Sequence, residues 1–239
     1  MERNFKIEKY NKENDYSFSF GAFPTFELLK NKSEQCLCLL FHSKLKMSED
    51  IKNLISICEK KNIPIYYEDK TINKIADKEN CFVVGVFKKY SGKNANSKHI
   101  VLVNPSDMGN LGTIMRTMFG FGFKNLIIIR PAVDIFNPKV VRASMGAIFG
   151  LNVVEFNSVE EYLQSNKNKK YFFMLNGKNK LGKFEKTNSN YDLVFGNEAS
   201  GLPEFLLTVD ESVVIEHTKN IDSLNLPISV AMAIYEFSK

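Results

Sequence analysis

Residues 100–129 read IVLVNPSDMGNLGTIMRTMFGFGFKNLIII, and this stretch determines the type of fold. Two apolar runs, 100–103 and 126–129, flank a stretch whose apolar residues recur at helical spacing over 111–119. Neither run alternates with polar residues, which is typical of strands that are covered on both faces. The strand–helix–strand order predicts parallel pairing and therefore an α/β fold.

The same alternation continues toward the C-terminus. Further strands are expected at 153–156, 171–175, 193–195 and 213–215, and helices at 138–145, at 159–164, from Pro203 and at 227–237. We therefore expect an α/β domain with a mostly parallel sheet over residues 99–239.

A linker precedes this domain. Residues 88–98 read KKYSGKNANSK, which has no apolar periodicity and is rich in Lys, Asn, Ser and Gly. We assign residues 1–90 to a first domain, 91–98 to the linker and 99–239 to the second domain. The first domain reads as a small α/β sandwich, with expected strands at 36–41, 63–67 and 81–87, one helix near 26–30 and another capped by Ser48.

The charge distribution favours a partner rich in phosphate. The net charge is +5, and residues 1–98 hold 18 Lys+Arg against 13 Asp+Glu, whereas the remainder is balanced at 14 against 14. Such an excess suits contact with nucleic acid, although a solvated lysine-rich surface accounts for it equally well. Only four basic residues are Arg, namely Arg3, Arg116, Arg130 and Arg142. In a lysine-rich chain an Arg indicates a position that needs a planar fork of donors.

Several classes of function are excluded by composition. The four cysteines lack the CxxC spacing of zinc or redox sites, and the three histidines are scattered, so no metal site and no Ser/His/Asp triad is expected. No apolar run approaches the roughly 18 to 20 residues of a membrane span, and the N-terminus lacks the apolar core of a signal peptide, so a cytoplasmic protein is expected. The run Gly-Asn-Leu-Gly at 109–112 lacks the GxGxxG spacing of a dinucleotide-dependent oxidoreductase.

Three polar loops follow expected strands. The first loop, 104–112, contains Asn110 and leads into the helix that carries Arg116. The second loop, 196–203, contains Glu198 between two glycines. The third loop is 222–225. Each taken by itself is an ordinary turn or helix cap. Ligands bind beyond the carboxyl ends of parallel strands, however, so the three loops together indicate one site.

Together these segments resemble a known family. The motifs are NPSDMGNLGTIMRT at 104–117, LVFGNEASGLP at 193–203 and IDSLNLPISVAMAIYEF at 221–237, with NPKVVRASMGAIFGLNV at 137–153 between them. In order and residue type they resemble the SpoU, or TrmH-like, branch of the SPOUT RNA 2′-O-methyltransferases over 99–239. Residues 1–90 more loosely resemble the L30e-like RNA-binding domain of several members.

The resemblance implies a fold, a cofactor and a site. It implies a trefoil knot in the second domain, S-adenosylmethionine as the cofactor, RNA as the substrate and a homodimer formed through the knotted domain. The implied catalytic residues are Asn110, Arg116, Glu198, Ser223 and Asn225, and the implied cofactor contacts are Leu175, Asn176, Gly196, Gly201, Ile215 and Leu224.

The chain departs from the family pattern at two places. Glu216-His217 stands where the family commonly has Pro-Met, and Pro227 stands where a small or hydroxyl residue is common. The resemblance favours ribosomal RNA, most of all 23S RNA, as the substrate. The alternatives are a tRNA 2′-O-methyltransferase and an RNA-binding protein of the same fold with a vestigial pocket.

Overall fold

The computed structural model describes residues 6–76 and 80–239, so Arg3 lies outside the described residues. The chain divides into two compact units. The first combines Met1–Tyr90 with Asp134–Gly150, and the second combines Ser91–Val133 with Leu151–Lys239. In the described part of the chain, no helix has the length and apolarity required to span a bilayer.

The first unit is built on a four-stranded sheet. Its strands are β1 (Tyr16–Phe20), β2 (Cys36–Phe41), β3 (Ile65–Tyr67) and β4 (Val83–Lys88), in the order β1-β4-β2-β3. Strand β4 pairs antiparallel with both of its neighbours, whereas β2 and β3 are parallel. The helices described before residue 90 are α1 (Ala22–Asn31), α2 (Glu49–Lys61) and α3 (Asp69–Ile75).

Both faces of this sheet are covered. Leu29 of α1 and Leu54 of α2 pack with Leu39 on one face, and Ile72 of α3 packs with Leu40 on the other. Ser48 caps α2, as predicted, because its hydroxyl accepts a hydrogen bond from the Ile51 amide. The small α/β sandwich expected before the linker is thus present.

The segment Asp134–Gly150 packs within the first unit. It contains the short helix α5 (Pro138–Ala143), capped by Asn137. The Ser17 hydroxyl of β1 donates to the Phe136 carbonyl over 2.5 Å, and the Arg142 guanidinium lies 5.5 Å from the ring centre of Phe20. Arg142 therefore serves packing here, through a cation–π contact.

The second unit contains a sheet of seven strands in the order β7-β6-β5-β10-β8-β11-β9. Its strands are β5 (His99–Val103), β6 (Asn125–Ile129), β7 (Asn152–Phe156), β8 (Lys169–Phe173), β9 (Asn179–Lys180), β10 (Tyr191–Phe195) and β11 (Glu211–Val214). Every neighbouring pair is parallel. The expected parallel sheet is confirmed.

Helices flank this sheet. The helices are α4 (Met108–Gly120), α6 (Val159–Ser165) and α7 (Leu226–Phe237). Tyr162 of α6 packs with Val101, Phe172 and Val194 of the sheet, while α4 and α7 contact each other and α7 contacts β10. The apolar runs of β5, β6 and β10 are buried accordingly, as their lack of alternation predicts.

Some elements differ from the sequence-based expectation. Strands β1 and β9 and helix α3 were not predicted. The strand expected at 63–67 is confined to Ile65–Tyr67, because Asn62 ends α2 in a left-handed conformation and Pro64 has no amide to donate. The helix expected from Pro203 is a 3₁₀ segment, Glu204–Thr208.

A buried polar cluster holds the amino edge of the seven-stranded sheet. The Asp192 carboxylate, fully buried at the start of β10, lies 2.9 Å from His99 Nδ1 at the start of β5. It also accepts hydrogen bonds from the Tyr162 hydroxyl at 2.6 Å and from Asn168 Nδ2 at 2.8 Å. Burial and the Asp192 charge raise the pKa of Tyr162 well above 10, so its hydroxyl remains a donor.

We expect Tyr162→Phe to lower the free energy of unfolding by about 1.5 to 3 kcal/mol, because it leaves a buried carboxylate short of one donor. Urea unfolding measures the change. The matched control is Tyr67→Phe, whose side chain is 65% exposed, and it should leave the transition unchanged. Equal shifts in the two variants would contradict the role given to the Tyr162 hydroxyl.

Candidate active site

A cavity of about 530 Å³ lies at the carboxyl edge of the parallel sheet. Phe173, Phe195 and Val213, at the ends of β8, β10 and β11, contribute to its lining. Most of the remaining lining comes from the loops that follow these strands. The sheet direction thus brings together lining residues that range from Phe173 to Ser229 in sequence.

All six residues predicted to contact the cofactor line this cavity: Leu175, Asn176, Gly196, Gly201, Ile215 and Leu224. The Leu175 side chain is 64% exposed. Their assignment as cofactor contacts stays a prediction, since placement along a cavity does not identify what fills it.

The loop after β10 is compact. Asn197 and Gly201 exchange two backbone hydrogen bonds, with the Gly201 amide 2.9 Å from the Asn197 carbonyl. Gly201 adopts a left-handed φ of 68°, which favours glycine. A Cβ on Gly196 would lie 2.1 Å from the Gly201 carbonyl carbon, so the backbone fold of this loop requires glycine at 196.

Glu198 joins the second loop to the first. Its Oε2 accepts hydrogen bonds from the Ser106 amide at 3.2 Å and the Ser106 hydroxyl at 2.8 Å. Its Oε1 accepts one from Asn110 Nδ2 at 3.2 Å. Asn110 lies in the first turn of α4, where Asp107 caps the helix by accepting from the Asn110 amide. The structure therefore brings together two of the predicted catalytic residues, Asn110 and Glu198.

Glu198 is held as a carboxylate. Partial burial acts to raise its pKa, but hydrogen bonds from its own amide, from Ser106 and from Asn110 together outweigh burial. The net result is a pKa below the ordinary 4.5. The group is thus an acceptor at neutral pH and is unsuited to act as a general acid.

The other three predicted catalytic residues are separate from this cluster. Ser223 lines the cavity, and Asn225 is exposed at the N-cap of α7, where its side chain makes no capping hydrogen bond. Arg116 is exposed on α4, and its guanidinium has no hydrogen-bond or ion-pair partner among residues 6–76 and 80–239. As far as the described residues are concerned, Arg116 is therefore available to bind another molecule.

Residues at the site that were not predicted include Ser106, Asn197 and His217. Ser106 donates twice to Glu198, and Asn197 Nδ2 donates to the Asn104 carbonyl at 2.7 Å. His217 lines the cavity. A hydroxyl three residues beyond the end of β5 is the signal that could have identified Ser106, while His217 stands out as a departure from the family pattern.

The lining suits the expected cofactor, S-adenosylmethionine, which carries a sulfonium cation. Glu198 and Glu204 border the cavity, and its described lining includes no Lys or Arg. Apolar side chains such as Leu175, Ile215 and Leu224 are fit to receive a flat ring. Across the described residues, no cluster of three or more His, Cys, Asp or Glu side chains is arranged to bind a metal ion.

Comparison with known proteins identifies the family. The model of the SpoU rRNA Methylase family matches residues 97–235, which is more than half of the chain. The chain belongs to this family. The predicted family, the enzyme class of RNA 2′-O-methyltransferases and the cofactor are confirmed with it.

Two curated relatives differ in how much of this SpoU methylase they match. A putative tRNA (cytidine(34)-2′-O)-methyltransferase from Bacillus subtilis is 33% identical over 149 residues, which are 60% of this chain and 92% of that protein. The 23S rRNA (adenosine(1067)-2′-O)-methyltransferase from Streptomyces laurentii is 26% identical over 195 residues, which are 77% of this chain and 72% of that protein.

A solved structure shares the fold over nearly the whole length. The AdoMet-bound rRNA methyltransferase from Sinorhizobium meliloti has a TM-score of 0.78 at 21% identity and covers 93% of this chain and 86% of its own. The similarity supports the mixed α/β architecture with a mostly parallel sheet.

We expect Gly196→Ala to weaken binding of S-adenosylmethionine by roughly tenfold or more, because the new Cβ forces the loop after β10 away from Gly201. Isothermal titration calorimetry measures the affinity. The control is Gly120→Ala at the end of α4, where a Cβ would have no neighbour within 4 Å, and it should bind like the wild type. Unchanged affinity in Gly196→Ala would show that this loop is not part of the cofactor site.

Proposed function

We propose that this SpoU methylase transfers the methyl group of S-adenosylmethionine to a ribose 2′-OH of ribosomal RNA, most of all 23S RNA. The observation that carries the reaction is the placement of the Glu198–Asn110 pair in and beside a cavity lined by all six predicted cofactor contacts. A 2′-OH acceptor restricts the substrate to RNA, because DNA lacks this hydroxyl.

Coverage supports ribosomal RNA. The tRNA relative matches 60% of this chain yet 92% of itself, so it has little beyond the part it shares. The ribosomal RNA relative matches 77% of this chain, and the Sinorhizobium meliloti structure covers 93%. Those longer matches extend into the first unit, for which we propose an L30e-like fold and a role in holding RNA. Its excess of lysine supports that role.

The higher identity to a tRNA (cytidine(34)-2′-O)-methyltransferase, 33%, favours a second candidate, tRNA. The difference between the two substrates lies in what the first unit contacts. A protein that methylates tRNA through the second unit alone would use the first unit for another purpose.

The proposed mechanism depends on alignment. S-adenosylmethionine supplies a methyl group already activated by the sulfonium, so the protein has to orient the ribose 2′-OH and ease the loss of its proton. Alignment of two reactants can lower a barrier by up to about 7 to 11 kcal/mol. The cofactor is held by Leu175, Asn176, Gly196, Gly201, Ile215 and Leu224, all of which line the cavity.

Arg116 acts on the substrate. It orients a phosphate of the RNA and polarises the 2′-OH, and the phosphate accepts the proton, because a guanidinium retains its proton in proteins and is a poor base. Its exposed position on α4, where no residue of 6–76 or 80–239 pairs with it, supports contact with a second molecule. Asn110, Ser223 and Asn225 orient Arg116 and the ribose through hydrogen bonds, and Glu198 fixes Asn110.

We also propose a homodimer formed through α7. Ile228, Met232 and Tyr235 lie on one face of this helix and are 53%, 42% and 57% exposed, and Phe121 contacts Tyr235 beside them. A second copy can cover this apolar face by the same face of its own, as a twofold axis requires. Ile228 is one turn from Asn225, so the partner would lie about 5 Å from that residue.

Two further features remain proposals. The knot implied by the family resemblance is compatible with the contacts of α7 with α4 and β10, which place the C-terminal helix against a helix and a strand that precede it in the chain. A cytoplasmic location likewise stays a prediction.

We expect purified protein to transfer a labelled methyl group to 23S ribosomal RNA, and cells that lack it to lose one 2′-O-methyl mark there. Mapping of 2′-O-methyl positions with and without the gene identifies the nucleotide. Loss of a mark in tRNA alone would replace the ribosomal proposal by the tRNA candidate. Binding of S-adenosylmethionine without transfer to any RNA would indicate the vestigial alternative.

We expect Arg116→Lys to lower kcat of methyl transfer by about a hundredfold, because lysine keeps the charge but loses the planar fork of donors. The matched control, Arg130→Lys, keeps an exposed ion pair with Glu155 and should be as active as the wild type. Activity of Arg116→Lys within a few-fold of wild type would remove Arg116 from the catalytic set.

A further inference from the structure

Ser106 approaches Glu198 with two donors at once. Its backbone amide and its hydroxyl both reach Oε2, at 3.2 Å and 2.8 Å. Two donors from one residue to one oxygen restrict rotation of the carboxylate, because turning the group breaks both bonds. The contact joins residues 92 positions apart in sequence.

The remaining carboxylate oxygen determines how the Asn110 amide is oriented. Glu198 Oε1 accepts from Asn110 Nδ2, so the Asn110 side chain must direct its NH₂ toward Glu198. Its Oδ1 is consequently directed away from the carboxylate. An oxygen in that position can accept a hydrogen bond from a hydroxyl or a guanidinium, whereas the reversed amide would present a donor instead.

The loop that carries Glu198 is itself held. Asn197 Nδ2 donates to the Asn104 carbonyl at 2.7 Å, and Asn197 Oδ1 accepts from the amides of Ala199 and Ser200. Asn104 has a left-handed φ of 54°, and this conformation turns the chain from β5 into the loop that contains Ser106. The backbone positions of the Ser106 and Glu198 loops are thus fixed relative to each other. Asn197 Nδ2 also donates to Glu198 Oε2, at 3.4 Å, but the two bonds from Ser106 are shorter and contribute most to the orientation of the carboxylate.

We propose that Ser106 is a positioning residue for methyl transfer, which holds Glu198 so that Asn110 presents its amide oxygen to the substrate ribose or to Arg116. The proposal rests on the proposed function, since it requires that Asn110 faces the reacting 2′-OH. Ser106 acts through Glu198 and Asn110 and does not touch the reacting atoms.

Removal of the Ser106 hydroxyl should change the pH dependence as well as the rate. The bonds from Ser106 contribute to the lowered pKa of Glu198, so their loss lets that pKa rise. A carboxylate with a raised pKa is protonated at higher pH. The acidic limb of the kcat/KM profile should therefore move to higher pH in Ser106→Ala and stay in place in Ser106→Thr, which keeps the hydroxyl.

The experiment compares Ser106→Ala and Ser106→Thr with the wild type, on a transcript of the RNA segment that contains the mapped nucleotide. We expect kcat of Ser106→Ala to fall by about tenfold, or about 1.4 kcal/mol of barrier, with unchanged affinity for S-adenosylmethionine in calorimetry. Ser106→Thr should recover most of the activity. Ser189→Ala, which removes an exposed hydroxyl bonded to Thr187, is the matched control and should have wild-type kcat.

A double-mutant cycle tests whether Ser106 acts through Glu198. In a Glu198→Gln background, Ser106→Ala should have little further effect on kcat, because the group it positions is already altered. The proposal would be overturned by additive effects of the two substitutions on kcat, by equal impairment of Ser106→Ala and Ser106→Thr, or by an acidic limb that does not move in Ser106→Ala. None of these results would contradict the proposed methyltransferase function. Absence of methyl transfer by the wild-type protein would contradict the proposed function and this inference together.

Discussion

The common direction of the strands in the second unit is the constraint on which the site depends. Since all neighbouring pairs are parallel, the loops that follow β5, β8, β10 and β11 emerge at one edge. Polar residues far apart in sequence, such as Ser106, Asn110 and Glu198, therefore meet without any local signal that they should. The helices on the two faces keep the sheet buried, so that edge is where the strand ends can contact a ligand.

Two carboxylates at opposite edges of this sheet differ in their surroundings and therefore in what they can do. Asp192, at the amino edge, is fully buried and paired with His99, and its hydrogen bonds tie α6 and two strands together. Glu198, at the carboxyl edge, is only partly buried and accepts hydrogen bonds from neutral donors on Ser106, Asn110 and Asn197. A fully buried carboxylate such as that of Asp192 requires its partners for stability. A partly buried carboxylate such as that of Glu198 can orient neighbouring groups toward a ligand.

Much of the second unit could be predicted, because its strands are uniformly apolar and its motifs are contiguous. The first unit was harder to predict. Strand β1 alternates buried serines with aromatic residues, and its burial depends on Ser17 bonding the Phe136 carbonyl and Ser19 bonding Thr25, partners that no local pattern reveals. Helix α3 has only two buried residues, and β9 has two residues in all.

At the site, residue types in the loops indicated Glu198 and Asn110. The Ser106 bonds could not be predicted in this way, because they join residues 92 positions apart in sequence. The scarcity of arginine did not by itself distinguish residues of the site from packing residues. Arg142 packs on Phe20, whereas Arg116 has no partner among the described residues.

The two departures from the family pattern have physical explanations in this chain. Pro227 lies in the first turn of α7, where its missing amide leaves no helical hydrogen bond unmade. Glu216, which stands where a proline is common, forms ion pairs with Lys180 at 2.6 Å and Lys183 at 3.2 Å, and so fastens the end of β11 to the segment around β9. A proline stiffens a loop through its own backbone, whereas ion pairs between exposed side chains hold it from outside and are weakened by salt. His217, the next residue, lines the cavity, so these ion pairs hold the segment that leads from β11 into the cavity lining.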